Sequence, residues 1–169
     1  MNPQPGRCVS KLETPALLVD LHLLERNLAE MMSRCVRAGK QLRVHFKSLK
    51  CGGLAKFLAD RGVHQFLCAK LNEVEILVEA GQKNVLLANQ VVAPEKIRRL
   101  AKLARLAKIG VCVDAIEQVR LLGEVARSEQ VYLEIYIEVD IGMDRCGVSP
   151  GEETLELAKQ VSAESHLIL

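Results

Sequence analysis

Residues able to do chemistry concentrate in two short stretches. The first is QLRVHFKSLK, residues 41–50. Side chains alternate along a strand, so Leu42, Val44 and Phe46 are expected on one face and Arg43, His45 and Lys47 on the other. A lysine ending such a strand has two readings. If the strand ends at a cleft, Lys47 is a reactive primary amine, with desolvation lowering its pKa. Otherwise it is the solvated end of an edge strand. The second stretch is YIEVDIGMDRCGV, residues 136–148. Here Ile135, Ile137 and Val139 alternate with Tyr136, Glu138 and Asp140. Two carboxylates facing an interior need cations or protons, and Lys47 and Arg145 are the candidate partners. Gly142 and Gly147 allow a tight loop that brings Arg145 over the mouth. There Arg145 can grip a carboxylate with two parallel hydrogen bonds, or form a salt bridge that ties the loop down.

The elements that must position these residues alternate. A short apolar strand over 16–20, entered through Thr14-Pro15, leads to Asp20, which can cap a helix over 21–38. Strands are then expected over 42–46, 65–69, 84–88, 110–113 and 131–140, with a sixth from 166. Helices are expected over 53–61, 72–80, 94–107, 116–127 and 150–161. Apolar runs such as VLLA and GVCV suit parallel strands covered on both sides. Repeated strand–helix units give right-handed crossovers and a parallel sheet. No G-x-G-x-x-G follows the first strand, which removes the main support for a dinucleotide fold. The expected architecture is α/β, a partial (β/α)8 barrel of about six strands. A barrel gathers chemistry at the carboxyl-terminal ends of its strands. Those ends carry His45 and Lys47, then Lys70, then Asn89 and Gln90, then Asp114, then Asp140. The expected division is a segment with a leading strand over 1–20 and a barrel over 21–169.

At 169 residues and a net charge of +2, the chain offers no strong case for nucleic acid as a partner. Aromatic residues are 3%, too few for base-stacking platforms. No apolar run approaches the roughly 18 residues of a membrane span, and the N-terminus lacks a secretory apolar core. The basic helix over 94–108 is read as a barrel helix with a solvated charged face. Cysteines at 8, 35, 51, 68, 112 and 146 form no C-x-x-C pair. They are read as reduced, mostly buried thiols of a cytoplasmic protein.

The blocks ETPALLVDLHLLERN, RVHFKSLK, CAKLNEVE, VLLANQVV, VCVDAIEQV and EVDIGMDRCGV occur in one order between residues 13 and 148. In that order they resemble the D-threonine aldolase / D-serine dehydratase family. These are fold type III pyridoxal phosphate (PLP) enzymes with a barrel of the alanine racemase N-terminal type. The resemblance implies that Lys47 is the lysine to which PLP attaches and that His45 lines the site beside the cofactor. It implies that Arg145, in the GMxRxG segment, approaches the cofactor and the substrate carboxylate. Asn89 is a further cofactor-contact candidate. The implied substrate is a small D-amino acid. The implied reaction is retro-aldol cleavage or elimination of a β-hydroxyl, with racemisation less favoured.

The chain departs from the family pattern at Leu49, where a histidine is usual. The family also uses a divalent metal, and its ligands and a C-terminal β-domain follow where this sequence stops. The sequence is therefore expected to be a truncated chain without those metal ligands. An incomplete barrel leaves an unpaired strand edge, which invites self-association, a homodimer included. The reading from another class is a non-catalytic PLP-binding barrel or an inactive fragment.

Overall fold

The computed structural model describes Gly6 and residues 8–169. The chain forms two compact units, Met1–Gln41 and Leu42–Leu169. The first holds one long helix, α1 (Leu21–Arg37). Asp20 caps it as expected, its Oδ1 accepting the Leu23 amide at 3.0 Å. The strand expected over 16–20 does not form. Apolarity makes a segment extended, but a strand also needs a neighbour to take its backbone hydrogen bonds. None pairs with 16–20 among the described residues, and Leu17 is 87% exposed.

The second unit alternates strand and helix throughout. Its elements are β1 (Arg43–His45), α2 (Gly52–Ala59), β2 (Gln65–Cys68), α3 (Leu71–Glu79), β3 (Asn84–Leu87) and α4 (Pro94–Ala104). Then follow β4 (Lys108–Val113), α5 (Ile116–Ser128), β5 (Leu133–Ile137), α6 (Glu152–Ala163) and β6 (Leu167–Ile168). All five strand pairings are parallel, and the spatial order β1-β2-β3-β4-β5-β6 follows the sequence. A doubly wound sheet would reverse its strand order at a switch point. Strictly sequential order is barrel winding, so the sheet is six strands' worth of a (β/α)8 barrel.

Register divides the sheet into two faces. Val44, Phe66 and Val85 sit side by side on the outer face, as do Cys68, Leu87, Val111 and Ile135. Phe66, Val85 and Val111 are fully buried. Helices cover this face through Val74 and Leu77 of α3, Ile97, Leu100 and Ala101 of α4, and Leu122 of α5, all fully buried. Each such leucine contributes about 1.5–3 kcal/mol by leaving water. The basic side chains of α4 lie outward, as the solvated-face reading requires. Arg99 grips Glu75 of α3 with two bonds of 2.8 and 2.7 Å.

The inner face carries His45, Leu67, Leu86, Gly110 and Glu134 in one row. Gly110 is small for a reason. A Cβ there would stand 2.9 Å from the Tyr136 ring and 3.0 Å from Leu86, so the ring occupies the space a side chain would need. Two cysteines, Cys68 and Cys112, are buried; Cys35 and Cys146 are half-buried and Cys8 and Cys51 exposed. Most of the thiols are therefore not core residues. The buried pair lies within strands, whereas the others lie on a helix face or in loops. Burial pushes the Cys68 thiol up to about 12 and the Cys112 thiol up to about 11.

Candidate active site at the carboxyl-terminal ends of the strands

At the end of β1 the strand period breaks. The strand stops at His45, and Phe46–Ser48 form a 3-10 turn. The expected strand residue Phe46 and the strand-end position of Lys47 therefore belong to this turn. Within this turn the Phe46 ring is fully buried. His45 caps the turn. Its Nδ1 accepts the Lys47 amide at 3.3 Å, while its carbonyl accepts the Ser48 hydroxyl at 3.1 Å. An accepting Nδ1 places the proton of a neutral imidazole on Nε2. Lys47 is exposed, and its ammonium makes no hydrogen bond or ion pair among the described residues.

At the ends of β3, β4 and β5 the polar groups are densely joined. Gln90 Nε2 donates to Asp114 Oδ2 and to Glu138 Oε2, each at 2.8 Å. Because both partners are carboxylate oxygens, the amide can be oriented only one way. Asp114 closes a reciprocal pair with Gln118 on the first turn of α5: its amide donates to Oε1 at 2.9 Å and its Oδ1 accepts Nε2 at 2.8 Å. Glu138 Oε1 accepts the Cys146 thiol at 3.0 Å. That bond is the main cause of the raised thiol pKa, since a carboxylate beside sulfur opposes the thiolate.

The loop bearing Arg145 is held at both ends. Asp140 Oδ1 accepts the Gly142 and Met143 amides at 2.9 Å each, and its Oδ2 accepts the Asp144 amide at 3.1 Å. Those amides, Gly142 first, lower the Asp140 pKa. The returning chain bridges Val148 to Val139, and Gly147 donates its amide to Asp114 Oδ2 at 3.0 Å. Gly147 has a φ of 104°, and a Cβ there would stand 2.6 Å from the Asp140 nitrogen. No other residue fits that crossing without moving backbone.

The carboxylates thus differ from the sequence expectation in their partners. Asp140 holds backbone amides, and Glu138 holds an amide side chain and a thiol. Neither takes Lys47 or Arg145, which removes the salt-bridge reading of Arg145. The strand ends at Ile137, so the residues after it take loop bonds. Arg145 is exposed at the loop tip. Asn89 is spent locally: its Nδ2 donates to the Ala69 carbonyl at 3.0 Å and its Oδ1 accepts the Gln90 amide. It ties the end of β2 to that of β3 and forms a wall of a hollow of about 470 Å³, together with Lys70, Lys96 and Arg99. Sequence reasoning placed Gln90 and Asp114 at strand ends without assigning them a role. The signal for Asp114 was its spacing of four from Gln118, a reciprocal pair across a helix start. Nothing local marked Gln90, because its partners lie 24 and 48 residues away.

A larger hollow of about 800 Å³ opens at the opposite, amino-terminal end of the sheet. Its cations are committed: Lys83 to the Leu106 carbonyl, Arg105 to Glu129 and Lys108 to Glu134. At the carboxyl-terminal ends of the strands, by contrast, Lys47 and Arg145 make no ion pair among the described residues. Among the described residues no group of three or more His, Cys, Asp or Glu side chains is arranged to hold a metal ion. No helix among them is long and apolar enough to cross a membrane.

Comparison with known proteins identifies the fold and the family. The chain is 36% identical over 157 residues to a D-threonine aldolase of Arthrobacter sp, covering 93% of this chain and 41% of that protein. It is 36% identical over 165 residues to a 3-hydroxy-D-aspartate aldolase of Paracoccus denitrificans, covering 96% and 43%. The crystal structure of a D-threonine aldolase from Filomicrobium marinum superposes with a TM-score of 0.92 at 38% identity, over 95% of this chain and 44% of that one. The chain therefore spans under half the length of the relatives it matches. The family model for the alanine racemase N-terminal domain matches residues 19–169, and the chain belongs to that family.

Proposed function

We propose that this chain is the cofactor-anchoring barrel of a PLP-dependent lyase acting on β-hydroxy D-amino acids, of the aldolase type. The observation that carries the proposal is Lys47: an uncommitted primary amine on the turn that ends β1, beside an imidazole. A primary amine is the group that condenses with an aldehyde cofactor, so the donor chemistry present fits PLP. The similarity to two aldolases supports the reaction class.

When bound, the cofactor supplies an electron sink for negative charge developing at the substrate Cα. The chain's own residues do the rest. Lys47 would hold the cofactor through Nζ. The backbone amide of Lys47 fixes the ring of His45, so that Nε2–H is free to donate at the same rim. Arg145 presents a guanidinium fork to the substrate carboxylate and selects for amino acids with a free α-carboxylate. Cleavage of the Cα–Cβ bond requires a base for the β-hydroxyl proton. The divalent metal implied by resemblance finds no set of three or more His, Cys, Asp or Glu donors among the described residues. The working compartment consistent with six free thiols is the cytoplasm.

The test is reduction with borohydride in the presence of PLP, followed by peptide mapping. A single adduct at Lys47 is expected. An adduct elsewhere, or none, overturns the anchor. Incubation of the PLP-treated chain with D-threonine then separates the two classes: glycine release supports the lyase, whereas attachment without glycine release supports a non-catalytic PLP-binding barrel.

A further inference from the structure

We propose that Gln90 is a positioning residue for the loop that carries Arg145. Among the described residues it is the side chain that ties the ends of β3, β4 and β5 together. Its amide bonds Asp114 and Glu138 simultaneously, at 2.8 Å each. Those two carboxylates are the side chains that hold the returning side of the loop, beside the backbone bonds by which Val148 pairs with Glu138 and Asp140. Asp114 takes the Gly147 amide at 3.0 Å, and Glu138 takes the Cys146 thiol at 3.0 Å. Gly147 and Cys146 are the two residues immediately after Arg145. Gln90 thus supports the loop through both carboxylates and also stands within hydrogen-bond reach of the Cys146 thiol itself.

The electrostatics explain why the device needs an amide. Two carboxylates converge on one nitrogen, and like charges brought this close repel in a half-buried site. A donor with two hydrogens satisfies both at once and leaves each with a lone pair aimed at the loop. An apolar replacement removes the shared donor. The carboxylates then separate or turn to water, and the loop loses its register against β4 and β5. The other end of the loop, where Asp140 gathers the amides of Gly142, Met143 and Asp144, would survive, because it is built within the loop. Gln90 therefore sets where the loop sits, whereas Asp140 sets its shape. The functional part of this inference rests on the reading of Arg145 as the carboxylate-binding residue.

The experiment compares the unmodified chain with Gln90→Leu, using two readouts. The first is amide hydrogen exchange, which requires no cofactor. Exchange at residues 145–148 is expected to accelerate at least about tenfold, the equilibrium shift of one lost hydrogen bond to a charged group. The amides of β2 are expected to stay unchanged. The second is titration of the PLP-loaded chain with D-threonine, read as the change in cofactor absorbance. The half-saturating concentration is expected to rise about tenfold, with the limiting spectral change unaltered, because a displaced Arg145 weakens capture of the carboxylate alone. Gln90→Met, of similar length and also without a donor, carries the same comparison should the leucine variant fold poorly. Unchanged exchange at residues 145–148 in a folded variant overturns the inference. So does unchanged D-threonine half-saturation in Gln90→Leu when Arg145→Ala raises it. If Arg145→Ala itself leaves half-saturation unchanged, the reading of Arg145 fails, and the exchange comparison alone decides the role of Gln90.

Discussion

The two sides of the mouth are built on opposite plans. At the end of β1, Lys47 stands on a three-residue turn held by His45 and is otherwise uncommitted. At the ends of β3 to β5, Gln90, Asp114, Gln118, Glu138 and Cys146 bond one another across three strands and the start of α5. The contrast fits the roles proposed for the two sides. An amine proposed to bond a cofactor gains from having no competing partner. A guanidinium proposed to meet a carboxylate at a fixed distance gains from a rigid base. The division predicts that substitutions at β1 change chemistry with little effect on folding, and that substitutions at β4 and β5 change geometry first.

The largest effect expected is at Lys47. Lys47→Ala should abolish borohydride-fixed PLP while leaving the urea midpoint almost unmoved, because an exposed, unpartnered side chain contributes within about 0.5 kcal/mol. A large fall in the midpoint would show that Lys47 holds the fold, and the contrast between the two sides would collapse. Beneath the mouth, Leu100→Ala should destabilise by about 2–5 kcal/mol, since it empties a fully buried site between α4 and the sheet. Gly147→Ala comes next, at about 1–3 kcal/mol for a non-glycine residue forced into that backbone conformation. It should also perturb the Asp114 side chain, visible as a shift of its carboxyl resonance. An unshifted Asp114 would mean that the loop is not seated on β4. Arg99→Ala should cost only about 0–1 kcal/mol despite two short bonds to Glu75, because the pair is exposed and water replaces it.

These magnitudes also show what the sequence could and could not reveal. The order of strands and helices was legible, because period-2 and period-3.6 patterns are local and the winding rule has few solutions. Lys47, His45 and Arg145 were legible as residue types in segments. What stayed hidden was pairing. Asp140 and Glu138 look alike in EVDIG, yet one folds its own loop and the other joins a network spanning 48 residues. Alternation predicted two lumenal carboxylates seeking cations. The strand ended at Ile137, however, and backbone amides and Gln90 reached the carboxylates instead. The turn at 46–48 was hidden for a similar reason. Whether Phe46 continues the strand or dives inward depends on what packs above it. The segment 16–20 read as a strand because local apolarity does not say whether a partner exists.

The smallest expected effect is local and separates the two holds on the Arg145 loop. The backbone amides of Gly142 and Met143 lower the Asp140 pKa, so the folded loop favours the ionised carboxylate. The sign follows from linkage. A carboxyl depressed in the folded state contributes its stabilisation above its unfolded pKa, about 3.9, and loses it as pH falls through the lower folded value. Exchange protection at residues 142–144 should therefore persist from neutral pH down to about 4 and weaken below that. Gln90→Leu should leave this pH profile in place while loosening residues 145–148, because Asp140 acts within the loop and Gln90 acts beneath it. If instead acidification releases 142–144 and 145–148 together, and Gln90→Leu shifts both, the loop is one cooperative unit and its shape and seating are not separable.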